Sequence, residues 1–246
     1  MELLVDTIAW FTEPGRWTYA ETQSVPFRAV QHVWATLVTM VLAIAIAVPP
    51  ALHLAHHRRA EAAASAIVNL GRAIPSFGLI VLFWLLALRV DWVGGEFWPL
   101  IGALVALALP PIFTNTYTAV REVDAATIEA ARGMGYRERR ILTAIELPLA
   151  SPVILAGIRI ANVQVIATVT IGAIVTNGGG FGRYITDAFA IGAAAHHRAL
   201  AGAILVALLT LAFEGLYWVL QRVVIPRGVR GTADVGDVAT RAGAAG

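Results

Sequence analysis

Residues 124–148 read DAATIEAARGMGYRERRILTAIELP and stand apart from an otherwise apolar chain. The stretch is too charged to cross a lipid bilayer, yet it is rich in helix-forming residues. Residues 125–132 and 136–145 favour helix, and Gly133 and Gly135 between them permit a turn. We predict two short helices joined by a glycine turn, lying on a membrane surface and presenting a patch to a soluble partner. A solvated surface loop is the alternative that composition leaves open.

On both sides of this stretch the composition is that of a membrane protein. Of the 246 residues, 58% are apolar and 14% are charged, with a mean hydropathy of +0.73. Soluble domains carry roughly 25% charged residues. The net charge of +2 gives no basic face for nucleic acid, and the absence of cysteine excludes disulfides and thiolate chemistry. Acidic residues precede the first basic residue, Arg16, so we expect no cleaved secretory signal.

Five predominantly apolar stretches are candidates to cross a bilayer, which takes about 20 residues each. The second stretch is short, and it spans only if Arg72 snorkels at one end and Trp92 anchors the other. The fifth is interrupted by Glu214, either a buried functional carboxylate or a side chain that reaches the interface. The sequence therefore predicts an all-α polytopic membrane protein. The predicted spans are residues 31–53, 70–90, 98–120, 149–176 and 199–221.

The distribution of arginine orients these spans, because cytoplasmic loops collect basic residues. One set of loops holds ten arginines and the opposite set holds five. We therefore expect residues 1–28 to form an extracytoplasmic segment, residues 29–222 the membrane domain and residues 223–246 a disordered cytoplasmic tail. The ten are Arg58, Arg59, Arg121, Arg132, Arg137, Arg139, Arg140, Arg222, Arg227 and Arg230, and the five are Arg16, Arg28, Arg89, Arg183 and Arg198.

The offsets within residues 124–148 form a recognisable pattern. A Glu-Ala-Ala triplet is followed, after three intervening residues, by a glycine and then, after nine intervening residues, by isoleucine, one spacer and Leu-Pro. This pattern resembles the EAA loop of ABC importer permeases at every fixed position. Five spans with the loop between the third and the fourth are similar to the type I importer fold, over roughly residues 31–221. The matching residues are Glu129, Ala130, Ala131, Gly135, Ile145, Leu147 and Pro148.

The resemblance implies that residues 124–148 couple the chain to a separate ATPase. Glu129 would offer its charge to an arginine or a backbone donor of the ATPase. Ala130 and Ala131 would let the helix approach closely, and Gly135 would make the bend. The chain has no Walker motif, so it is not expected to be an enzyme or to hold a cofactor, and ATP and Mg²⁺ would bind the partner.

The expected partners are cytoplasmic ATPase subunits, a second permease copy or paralogue, an extracytoplasmic substrate-binding protein and the lipid of a bacterial plasma membrane. Residues 70–79, 109–117 and 157–184 resemble permeases for the osmoprotectants glycine betaine, carnitine and choline. Permeases for methionine or another amino acid are the nearest alternative. A channel or an ATP-independent transporter fits the hydropathy but does not explain residues 124–148.

Polar or small residues at predicted membrane depth form a candidate translocation path. Asn115 lies in the third span, and Gln164, Thr168 and Gly172 share one face of the fourth. Hydrogen bonding between helices is the alternative for these residues. The spans hold no aromatic cluster comparable to a quaternary amine cage, so we expect a separate binding protein to capture the substrate.

A glycine run and a histidine cluster each allow a functional and a purely structural interpretation. Gly178, Gly179 and Gly180 form either an extracellular gate or partner loop, or a permissive turn. The run does not end in the GK[ST] that a phosphate loop requires. Histidines crowd the end of the first span at positions 53, 56 and 57, where headgroup contact competes with metal binding. No carboxylate triad completes a metal site, so we predict none.

Overall fold

The computed structural model describes residues 2–19, 21–59, 66–67, 75–89, 97–176 and 178–226, and its regular structure in these ranges is helical throughout. The segment Glu138–Ile141 continues through a π-helical turn, Leu142–Glu146, into the next long helix. The helices are α1 (Glu2–Thr12), α2 (Val25–His56), α3 (Ser76–Leu88), α4 (Phe97–Arg121), α5 (Ala125–Gly133), α6 (Glu138–Ile141), α7 (Leu147–Gly172), α8 (Gly182–Ile191) and α9 (His196–Val224).

Four helical stretches are long and apolar enough to cross a membrane in the described part of the chain. They are α2, α4, the continuous stretch from α6 to the end of α7, and α9 with the turn before it. The shorter α3 has 13 residues, about 20 Å of helix at 1.5 Å per residue. The rest of the predicted second span, the loop around Gly94 and residues 227–246 of the predicted tail lie outside the described residues.

Helix α4 is the centre of the bundle, with α2 packed on one side and α7 on the other. Two glycines set the close approach of α7 to α4. A Cβ on Gly157 would lie 2.4 Å from the Cβ of Asn115, and a Cβ on Gly172 would lie 2.6 Å from a Leu100 methyl. Without a large hydrophobic driving force between helices in lipid, such small residues give membrane helices their packing contact.

A second hydrophobic cluster joins the short helices α1 and α8 to α9. It contains Trp10 of α1, Tyr184 of α8 and Ala201 of α9, all of them buried. The Tyr184 hydroxyl also donates to the Gln23 carbonyl at 2.7 Å, just before α2 begins. These contacts fix the loop after α7 against the first residues of α2.

Candidate functional site

Helix α5 begins with a side-chain cap and has two distinct faces. The Asp124 carboxylate accepts hydrogen bonds from the hydroxyl (2.9 Å) and backbone N–H (3.0 Å) of Thr127. These two bonds lower the pKa of the Asp124 carboxyl. One face of α5 buries Ile128 and Ala131, whereas Glu129 is exposed on the other.

The buried face of α5 packs on the chain's own residues rather than on a partner. Ile128 and Ala131 form a small core with Val123 and Ile141, and Tyr136 and Ile145 pack against it. Ala131 therefore faces inward, unlike its neighbour in the motif, Ala130. The outer face of α5 carries small side chains around one carboxylate, namely Ala126, Ala130 and Gly133 around Glu129, and the exposed Met134 follows the helix.

The turn after α5 requires glycine at position 135. The backbone N–H of Gly135 bonds to the Arg132 carbonyl at 2.9 Å, and that of Tyr136 bonds to the Ala131 carbonyl at 3.1 Å. This is the Schellman pattern of helix termination, in which the residue after the cap takes a left-handed conformation. Gly135 has φ +83°, a region that a side chain opposes. Its place in the motif thus has a conformational reason.

A chain of ion pairs links α5 to α2 and α7. The Arg132 guanidinium makes two bonds to the Glu138 carboxylate, at 2.8 and 3.0 Å. This hydrogen bonding and the negative charge raise the pKa of Arg132. Glu138 lies 3.2 Å from His56 Nε2, and His56 Nδ1 lies 2.5 Å from Glu146. We call Arg132, Glu138, His56 and Glu146 the ion-pair chain.

The inner half of the ion-pair chain is buried. The side chains of His56 and Glu146 are 5% and 3% exposed, whereas that of Glu138 is 51% exposed. A buried carboxylate is costly unless it is paired. Nearby, the Tyr117 hydroxyl of α4 donates to the Arg59 carbonyl just after α2. The segment of residues 124–148 is therefore tied to the end of α2 through His56, and the end of α2 is tied to α4 through Tyr117.

The Leu-Pro end of the motif coincides with the π-helical turn. The Leu147 N–H bonds to the Leu142 carbonyl, five residues earlier. Pro148 follows directly and has no N–H, and its ring would clash with a carbonyl four residues before it in a regular helix. The wider turn accommodates the proline. Ile145 and Leu147 are half-buried in it.

The candidate path residues lie mostly inside the bundle. Thr168 and Gly172 are buried, and Gln164 is half-buried. Asn115 donates to the Pro111 carbonyl of its own helix at 2.8 Å and contacts α7 where Gly157 leaves room. Their role in translocation stays a prediction.

The glycine loop is folded tightly onto α2 and α7. Gly179 and Gly180 have φ +88° and +51°. A Cβ on Gly180 would lie 2.8 Å from the Cα of His32. The buried His32 ring contacts the Ile166 carbonyl through Nε2 at 3.1 Å and accepts from the Phe181 N–H through Nδ1 at 3.4 Å. Close packing explains these glycines, and a gating or partner role, including that of the half-buried Gly178, stays a prediction.

Two charge relationships are absent from the sequence-based predictions. One is the ion-pair chain around His56. The other joins Arg159 of α7 to Glu214 of α9, with the guanidinium donating to the carboxylate. The sequence did contain a signal for the second pair, because it places one charge of each sign in two apolar segments. A single charge is costly within a membrane, so the two charges could have been expected to pair. Among the described residues, no group of three His, Cys, Asp or Glu is placed to hold a metal ion.

Comparison with known proteins identifies the family. A family model described as the inner membrane component of binding-protein-dependent transport systems matches residues 39–226. The chain belongs to this family. It is 28% identical over 209 residues to the glycine betaine/carnitine/choline transport system permease protein OpuCB of Bacillus subtilis (strain 168), covering 85% of this chain and 92% of that protein.

Another relative agrees with this assignment, and a solved structure has a similar fold. The chain is 31% identical over 210 residues to the carnitine transport permease protein OpuCB of Listeria monocytogenes, covering 84% of this chain and 91% of that protein. A chain of the inward-facing MetNI methionine ABC transporter, CY5 native crystal form, is similar in fold. Its TM-score is 0.71 at 24% identity, covering 87% of this chain and 100% of that one.

These findings confirm the predicted fold class, the membrane location and the role as a permease subunit of an ABC importer. Members of this family are membrane components, and membership implies ATPase and substrate-binding partners. The methionine transporter likeness shows the fold alone at this identity.

Proposed function

We propose that this permease imports compact quaternary amine osmolytes, with glycine betaine, choline and carnitine as the candidate substrates. The proposal is supported by relatives whose names specify these compounds and which align over more than four-fifths of both chains. Residues 157–184, which include the glycine loop and the first residues of α8, carry the resemblance noted in the sequence. An amino acid such as methionine is the alternative substrate.

The observation that carries the coupling role is the outward face of α5. Its alanines and glycine leave a shallow surface around Glu129, which suits insertion of a helix into a groove of a partner. Behind this face, the ion-pair chain and the Ile128 core connect α5 to the spanning helices. A force applied to α5 by an ATPase would therefore reach α2 and α7.

In this proposal the ATPase subunits bind ATP and Mg²⁺, and this chain binds neither. A second permease, either a copy or a paralogue, completes the membrane unit, and an extracytoplasmic binding protein delivers the substrate. The N-terminus lies outside, and the segment of residues 124–148 and the C-terminus lie in the cytoplasm, as the arginine distribution favours.

Competition uptake tests the substrate class. Cells with and without this chain are given labelled glycine betaine together with unlabelled choline, carnitine, proline or methionine. We expect uptake that depends on the chain and is reduced by choline or carnitine. Uptake of labelled methionine that depends on the chain and that unlabelled glycine betaine does not reduce would move the permease to the amino acid class.

The same cells test the mechanism when the partner ATPase carries a substitution in its Walker lysine. Uptake should then fall to the level of cells without the permease. Uptake that persists would favour a channel or an ATP-independent transporter.

A further inference from the structure

The Arg159–Glu214 ion pair lies deep within the spanning helices. Arg159 is 12 residues after Leu147 and 13 residues before Gly172, the two ends of α7. At 1.5 Å per residue it is about 18–20 Å from either end. Glu214 is 10 residues before Val224, the end of α9, or about 15 Å into that helix. Neither charge is near an end of its helix.

In this single chain, however, both side chains of the pair are partly exposed. The Arg159 side chain is 43% exposed and that of Glu214 is 24% exposed. Charged groups are costly against lipid chains, and those found in spans face protein or water-filled cavities. We therefore expect the surface around this pair to face protein or water in the assembled transporter. The described helices bring the two charges to the junction of α7 and α9.

An aromatic ring lies one helical turn from Glu214. Trp218 is 52% exposed, and residues four apart share a helix face. The Arg222 guanidinium carbon is 3.4 Å from the centre of the Trp218 ring, so this ring already holds a cation against one face. A carboxylate and an aromatic face on one stripe of α9 suit a quaternary ammonium, and the guanidinium across the junction suits a carboxylate.

We propose that Arg159, Glu214 and Trp218 face the water-filled substrate path and contact a zwitterionic osmolyte during its passage. Glu214 and Trp218 take the quaternary ammonium, and Arg159 takes the carboxylate. The ammonium of the substrate replaces Arg159 as the partner of Glu214, and its carboxylate replaces Glu214 as the partner of Arg159. No unpaired charge is therefore left inside the spanning helices. This assignment rests on the proposed osmolyte import, and it distinguishes glycine betaine from choline, which has no carboxylate.

Cysteine accessibility tests whether the face is in the path. The chain has no cysteine of its own, so single cysteines report one position. Thr210→Cys lies one turn before Glu214 on the same stripe, and Leu216→Cys lies about 200° around α9 from Glu214, on the far side. The probe is the membrane-impermeant 2-(trimethylammonium)ethyl methanethiosulfonate, applied to the reconstituted importer with its binding protein.

We expect Thr210→Cys to react at least tenfold faster than Leu216→Cys, and glycine betaine to slow that reaction. An unreactive Thr210→Cys would mean that protein or lipid covers this face, and equal reaction at both positions would mean general solvent access. Either result would overturn the proposal, whichever osmolyte the importer moves.

Uptake by the Arg159→Gln and Glu214→Gln variants tests which residue binds the carboxylate and which binds the ammonium. Arg159→Gln should lower the maximal rate for glycine betaine at least tenfold and that for choline less than threefold, whereas Glu214→Gln should lower both. Equal losses for both osmolytes in Arg159→Gln, in a complex that still co-purifies with its ATPase, would assign the pair a structural role and overturn the proposal. If Arg159→Gln does not assemble, the Thr210→Cys result decides.

The two proposals fail differently. A wild-type importer that moves neither glycine betaine nor choline would refute the proposed substrate class. A wild-type importer that moves glycine betaine, together with an inaccessible Thr210→Cys, would refute only the site proposed here.

Discussion

The Nδ1 atom of His56 lies 2.5 Å from Oε2 of Glu146, which joins the end of α2 to the turn that precedes α7. The other ring nitrogen faces Glu138, which in turn holds Arg132 of α5. The two ring nitrogens therefore face two different carboxylates. His56 is thus the central member of the ion-pair chain that connects the outer face of α5 with the spanning helices.

Replacing His56 by alanine should destabilise the permease more than replacing the neighbouring His57. The His56 substitution leaves the buried Glu146 carboxylate without its partner, and breaking a buried pair costs about 3–5 kcal/mol. His57 is exposed, so His57→Ala should have little effect. The measurement is the thermal unfolding midpoint in detergent, with osmolyte uptake as a second readout.

A double-mutant cycle with Glu146→Gln tests the same contact. Since a neutral amide is easier to bury alone than a carboxylate, Glu146→Gln should recover part of the stability that His56→Ala loses. Additive losses in the double variant would show that the two side chains do not act as a pair.

Reversing the charge of Glu129 should uncouple the transporter. The side chain is on the exposed face of α5, so Glu129→Arg should leave insertion and folding intact. Loss of one charge-assisted contact to the ATPase costs about 1.5–3 kcal/mol, and reversal adds repulsion. Co-purification of the ATPase should weaken, and uptake should fall severely.

Glu122→Arg is the matched control for this variant, because Glu122 is exposed just before α5. The control should keep most of its ATPase association and uptake. If the two variants behave alike, residues 124–148 act as general surface charge and Glu129 has no specific coupling role.

The glycine turn after α5 should tolerate alanine at position 133 but not at position 135. Neither added Cβ meets an atom within 4 Å, so the difference is conformational. At φ +83° an alanine at position 135 costs roughly 1–2 kcal/mol, whereas Gly133 is in the helix and favours alanine slightly. Gly135→Ala should weaken ATPase co-purification more than Gly133→Ala does, and the reverse order would contradict the Schellman turn.

Alanine at Gly182 should destabilise the loop after α7. The added Cβ would lie 2.3 Å from the Thr170 carbonyl oxygen, a backbone atom that moves only with its helix. Overpacking of this kind costs roughly 1–3 kcal/mol. Gly215→Ala is the control, because the space around that glycine is open. The thermal midpoint should fall for Gly182→Ala alone, and a similar midpoint in both variants would count against the tight loop.

The proposed orientation predicts opposite labelling of two introduced cysteines. Arg137→Cys, in the loop after α5, should react only with thiol reagents that cross the membrane, and Ala190→Cys, exposed in α8, should react with impermeant ones in intact cells. Ala190 is a better external site than Gly179, because a side chain at Gly179 would clash with Ala173. The opposite labelling pattern would invert the topology.

The loop signature was accessible to sequence reasoning because its parts are close together in the chain. Gly135 could be predicted to bend the chain, since the turn depends on bonds between residues 131 and 136. That Ala131 is buried while Ala130 is exposed could not be predicted, because it depends on the hydrophobic core under α5. The π-helical turn before Pro148 follows from a local steric rule, although its bounds come from the structure.

Taken alone, the sequence determined the membrane environment, the helical class and the motif of residues 124–148, because hydrophobicity and helix-forming tendency are properties of contiguous stretches. Only the tertiary structure decided which distant charges meet. His56 and Glu146 are 90 residues apart, and Arg159 and Glu214 are 55 apart. Contacts over such separations depend on which faces the helices turn towards each other, and the packing of the whole bundle sets those faces.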